Sequence, residues 1–181
     1  MYIAFTVLTI QRQYSFCRNV PAKFDVEDFD PFLCSHGFYG FADLDNATWT
    51  ITAWDPWFDL APEDCPPGYC NYNGFRRFTD LRNVNPEFVP MLSIGGWNAG
   101  SGEYSQMARD PVKRSLFIDS LVPFLTDYGF MGLDLDWEYP GSRPGSDLSI
   151  DMDDFTILMQ EVSDALHANG LILTSAVSGG L

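Results

Sequence analysis

The chain has 181 residues, of which 46% are hydrophobic and 15% aromatic, enough apolar material for one domain with a substantial core and too much for a disordered chain. Its formal net charge of -15 disfavours nucleic acid and anionic membrane surfaces, because both are bound through Lys and Arg. A neutral or weakly cationic partner suits that charge.

The first element is an apolar run over residues 2–10. No positive charge precedes it, no small-residue cleavage site follows it, and it is too short to span a bilayer, so it reads as a first strand or a damaged start of the chain rather than a signal peptide. Four cysteines are present: Cys17, Cys34, Cys65 and Cys70. Cys65 and Cys70 bracket the turn-forming Pro66-Pro67-Gly68-Tyr69, which would let a local disulfide close; free buried thiols are the alternative. A second strand-like run covers 36–42, and Asn46-Ala47-Thr48 is a glycosylation sequon set between two strand-like runs. Residues 54–73 form an acidic, Pro-rich stretch to which the sequence assigns no role.

A short helix is expected over 74–82 and a third strand over 88–95. Gly95-Gly96 leads into Trp97 rather than into a helix, an arrangement better suited to stacking on a sugar than to cradling a phosphate. Asp110-Pro111 supplies a cap and a first-position proline, and Phe117, Leu121, Phe124, Leu125 and Tyr128 then repeat at helical spacing until Gly129. A fourth strand-like run spans 130–137. A further helix over 151–169 aligns Phe155, Leu158, Met159, Val162 and Leu166 before Gly170, and a fifth strand covers 171–177.

Alternating strands and helices predict a parallel sheet of βαβ units, either open and doubly wound or closed as a (β/α)8 barrel. Acids at the carboxyl end of the fourth strand favour the barrel, where chemistry gathers at that rim. Such a barrel takes about 250 residues. The expectation is therefore an α/β chain forming a partial (β/α)8 barrel of about five strands, open after the fifth, with residues 1–181 as one truncated domain.

The fourth strand carries the chemistry. Leu133, Leu135 and Trp137 alternate with Asp134, Asp136 and Glu138, so the three acids share one face, neighbours roughly 6–7 Å apart. Alternating acids ordinarily mark a solvated sheet face. Here a strand entered directly from a helix belongs to a sheet covered on both faces, and crowded carboxylates in such a place suit a site where one retains a proton. A protonated carboxylic acid is what glycosidic bond cleavage requires. Carboxylates alone also bind calcium or magnesium, but no EF-hand spacing or neighbouring His supports a metal, and neither metal nor cofactor is expected.

Three segments together resemble the N-terminal half of a family 18 glycoside hydrolase of the animal chitinase type. They are residues 24–42 with Phe38-Tyr39-Gly40-Phe41-Ala42, then Met91-Leu92-Ser93-Ile94-Gly95-Gly96-Trp97, then Gly132-Leu133-Asp134-Leu135-Asp136-Trp137-Glu138-Tyr139-Pro140-Gly141. The resemblance implies a retaining endo-hydrolase of β-1,4-linked N-acetylglucosamine polymers, with chitin or its oligosaccharides as partner and secretion as the setting. Glu138 would be the general acid, Asp136 would orient the N-acetyl group, and Asp134 would share a proton with Asp136. Trp97, Phe41, Tyr139 and Gly96 would contact sugar. The alternative is a catalytically inactive fragment or a chitinase-like carbohydrate-binding protein; the retained Glu138 counts against the latter. The chain departs from the family pattern at Met131, where an aspartate is usual, and at Thr9, which stands where a cysteine would pair with Cys34. Cys34 would then pair with Cys17 or stay free. Tyr14 stands near a position where the family often has Trp.

Overall fold

The structure, a computed structural model, describes residues 7–11, 24–60 and 72–179. Five parallel strands run in the order β1 (Val7–Gln11), β2 (His36–Asp45), β4 (Val89–Gly95), β5 (Gly132–Asp136) and β6 (Ile172–Ser175), and β3 (Thr50–Ala53) pairs antiparallel with the end of β2. The helices are α1 (Pro56–Asp59), α2 (Gly74–Thr79), α3 (Gly102–Arg109), α4 (Pro111–Tyr128) and α5 (Asp151–His167). The five parallel strands match the five expected runs, each trimmed or extended at its ends. The sheet is an open arc, and β6 has no strand on its far edge among the described residues.

Central strands of a parallel sheet are covered on both faces and read as nearly continuous apolar runs. In β4 only Val89 is more than slightly exposed. Leu92, Ile94, Leu133 and Leu135 face the helices and join one cluster with Phe117, Leu121, Leu125, Leu158, Val162 and Leu166. A second layer of rings fills the end near β2. Phe29, Tyr39, Phe75, Phe78, Phe88 and Phe130 meet mostly edge to face, with centroids 5.1 to 6.4 Å apart, the geometry that ring quadrupoles favour.

The caps of α4 follow the sequence closely. Asp110 accepts from the amides of Val112 and Lys113, Pro111 occupies the first turn, and Gly129 closes the helix at φ 82. The start of α5 differs. Ile150 is the cap position with no side-chain bond, and Asp151, fully buried, instead accepts from Ser105 Oγ at 2.6 Å, from Asp147 N at 2.6 Å and from Gly141 N at 3.3 Å. A carboxylate spent this way ties the loop after β5 to α3. The segment 54–73 also has a structural part: Asp59, nearly buried, accepts a 2.6 Å hydrogen bond from the Tyr39 hydroxyl.

The Asn46 sequon lies exposed in the turn between β2 and β3, its side-chain amide donating to Glu103. Of the two expectations for Cys34, the structure has the free thiol, buried and pushed up in pKa by desolvation and then by Asp30. Cys17, Cys65, Cys70 and Tyr14 lie outside the described residues. Among the described residues no helix is long and apolar enough to cross a membrane.

Candidate active site

The carboxyl ends of β2, β4 and β5 and the loops that follow them converge on one rim. Parallel register sets Ser93 beside Asp134, Gly95 beside Asp136, and Thr174 on the far side of Asp134. All five therefore share the face opposite the leucines. Asp134 is spanned by both neighbours: Ser93 Oγ donates to Oδ2 at 2.9 Å and Thr174 Oγ1 to Oδ1 at 2.7 Å.

Asp136 differs from its neighbour. It is buried, and its Oδ1 has no hydrogen-bond partner. Burial first, then the negative fields of Glu138 and Asp134, push its carboxyl from 3.8 to about 7. Desolvation and neighbouring like charges both disfavour the ionised form of a carboxyl. Of the three crowded acids, Asp136 is the one whose surroundings push its carboxyl upward; the sequence assigned the proton-donor role to Glu138. Glu138, half-buried, lies two residues beyond the strand end. The Tyr139 phenol next to it is shifted up by desolvation and then by Glu138 and Asp136.

Two glycines let the adjacent loop come close. Gly95 (φ 108) would carry a Cβ only 2.6 Å from the Asp136 carbonyl oxygen, and Gly96 (φ 78) one only 2.8 Å from the Phe41 ring. The Gly96 amide donates to that same Asp136 carbonyl at 2.8 Å. Phe41 therefore lies on Gly96, within the rim. The peptides Gly40–Phe41 and Glu138–Tyr139 are both cis. Trp97 projects at the mouth, 58% exposed, which is unusual for so large an apolar ring unless it serves contact.

All seven residues singled out in the sequence, Asp134, Asp136, Glu138, Tyr139, Gly96, Trp97 and Phe41, come together here. Sequence reading missed several of their supports. Ser93 and Thr174 required the strand register; Asp151 and Arg143 sit in or beyond an irregular loop. Tyr104 also escaped notice: its ring stacks on Trp137 (6.1 Å), and its buried, unpartnered hydroxyl is raised well above the ordinary phenol range by burial and then by Asp43 and Asp136.

Parallel strands alternating with helices, carboxylates at the strand ends and an aromatic lip form one side of a (β/α)8-type rim, not closed into a barrel. The chain belongs to glycosyl hydrolases family 18, whose model matches residues 9–180. It is 38% identical over 160 residues to "Probable chitinase 2" of Drosophila melanogaster, covering 88% of this chain and 31% of that protein. The group IV chitinase of Ostrinia furnacalis in complex with allosamidin superposes with a TM-score of 0.84 at 35% identity, over 94% of this chain and 42% of that one. Human YKL-39, described as a pseudo-chitinase with retained chitooligosaccharide binding, superposes with a TM-score of 0.76 at 30% identity, over 96% and 43%. The chain thus spans less than half the length of these relatives.

Proposed function

We propose that residues 1–181 are the N-terminal portion of a secreted catalytic barrel that hydrolyses β-1,4-linked N-acetylglucosamine polymers with retention. In this reading Glu138 gives its proton to the leaving glycosidic oxygen as that bond breaks. The carbonyl oxygen of the substrate's own N-acetyl group closes on the anomeric carbon, with Asp136 holding the acetamide. Water then opens this cyclic intermediate from the other side and returns a proton to Glu138, so no enzyme nucleophile is required. Asp134, held by two hydroxyls, is the neighbouring acid with which Asp136 shares its proton.

The observation that carries this reading is Asp136: buried, one oxygen unpaired and raised to about 7, beside Glu138 at a glycine-floored rim. An orphaned polar oxygen in a native site is explained when a ligand completes it; an acetamide N–H has the required donor. Trp97 and Phe41 supply apolar faces for sugar rings, and the protein's acidity is compatible with a neutral polysaccharide.

The test is release of shorter sugars from N-acetylglucosamine hexamer, followed by mass spectrometry. Turnover by the chain, lost by about two or more orders of magnitude in Glu138→Gln with sugar binding retained, supports the reading; unchanged turnover in that variant ends it. A second reading, sugar binding without turnover, is favoured by the open arc and by the likeness to YKL-39. Calorimetric binding of the hexamer with no cleavage by the parent chain would select it.

A further inference from the structure

The face of Trp97 is not wholly free. The Arg143 guanidinium lies over the indole, 3.9 Å from the ring centroid. The same group donates through Nη1 to the Trp97 carbonyl and, at 3.4 Å, to the Glu138 carbonyl. Arg143 is itself fixed in a tight turn, its amide donating to Ser146 Oγ at 2.9 Å and its carbonyl accepting from that hydroxyl. No ion pair to Arg143 occurs among the described residues, in a chain of net charge -15. Its charge is directed to one ring and two carbonyls instead.

We infer that Arg143 is a positioning residue that clamps the loop after β4 to the loop after β5 and so fixes the Trp97 platform relative to Glu138. The inference rests on the sugar-cleaving reading above. A cation at van der Waals distance closes one indole face, so a sugar can stack only on the other. Trp97 remains 58% exposed with Arg143 in place, so more than half of its surface stays accessible. The two carbonyls belong to the platform residue and to the acid, so a single side chain sets both ends of the contact. A planar guanidinium can lie on a ring and direct N–H groups at carbonyls in one posture; an ammonium cannot. The benefit is preorganisation: an exposed indole that is already held loses less freedom when a sugar binds.

Two measurements on the full chain test this, and they fail separately. The first needs no sugar. With the Trp97 indole resonance identified by its loss in Trp97→Phe, its 15N heteronuclear NOE should fall in Arg143→Ala while the buried Trp137 indole is unchanged. Equal NOE values in parent and variant overturn the clamp. The second is calorimetry with N-acetylglucosamine tetramer in a Glu138→Gln background, which prevents turnover. Arg143→Ala should weaken binding about tenfold, Arg143→Lys should recover less than half of that loss on a logarithmic scale, and Arg143→Ala should add nothing in a Trp97→Ala chain. Full additivity of the two substitutions, or full rescue by Lys, overturns the positioning role. A parent that takes no tetramer overturns the functional reading instead, and the indole measurement then still judges the clamp.

Discussion

At the scale of single residues, the chemistry is set by how differently two neighbouring aspartates are treated. Asp134 has a hydroxyl on each oxygen, from Ser93 and Thr174, whereas Asp136 has an oxygen with none. The consequence for stability has a definite sign. Asp136 holds its proton more tightly folded, at about 7, than at its ordinary 3.8, so between those values the folded chain keeps a proton that the unfolded chain releases. Stability contributed at low pH is lost as pH rises toward about 7, and the loss is complete above it. Asp136→Asn does not titrate there. Its melting temperature relative to the parent should therefore rise by several degrees between pH 5 and pH 8, at roughly 2–4 °C per kcal/mol for a chain of this size. A difference that is flat with pH would show that Asp136 is not the shifted group. The alternation in the sequence was enough to put three acids on one face, but it could not say which oxygen lacks a donor, because those donors come from residues 40 or more positions away.

At the scale of elements, the loop after β4 depends on two positions where a side chain has no room. Gly95 and Gly96 have positive φ, and an added Cβ would strike the Asp136 carbonyl or the Phe41 ring. Gly95→Ala presses on backbone that also accepts from the Gly96 amide, so it should lower unfolding stability by about 2 kcal/mol or more in urea titration, and sugar binding with it. The loop after β5 depends on Asp151. Asp151→Ala leaves the amides of Gly141 and Asp147 and the Ser105 hydroxyl without their buried acceptor, a loss of about 3 kcal/mol by the same measurement. Smaller losses than about 1 kcal/mol in either variant would mean that the loop relaxes around the change. The glycines were legible because their residue type announces close approach. Asp151 was in the sequence only the first residue of a helical run, and its 0% exposure shows that it is an anchor.

At the scale of the whole molecule, the arc is open. Strand β6 pairs with β5 on one side only among the described residues. Beside it, Phe155, Met159 and Leu173 line a shallow groove together with Gln160 and Ser163. An unpaired edge flanked by partly exposed apolar side chains recruits other chains. The weight-average mass in sedimentation equilibrium should therefore rise between about 10 and 100 μM, and Met159→Glu should lower it. A parent that stays monomeric over that range would show that the edge is protected. Core substitution should be severe by contrast: Leu133→Ala, at a fully buried central position, should lower stability by about 2–5 kcal/mol.

Sequence alone determined the strand and helix alternation, the caps of α4, the acid face of β5 and the glycine pair before Trp97, because each depends on periods of 2 or 3.6 residues or on one residue type at one place. Tertiary structure decided the remainder. It brought Ser93 and Thr174 to Asp134, Arg143 to Trp97 and Tyr104 to Trp137, contacts set by sheet register and loop path, neither of which leaves a local period in the chain. It also set the upward shift of the Asp136 carboxyl, since desolvation is a property of the packed molecule and has no value for a segment considered by itself.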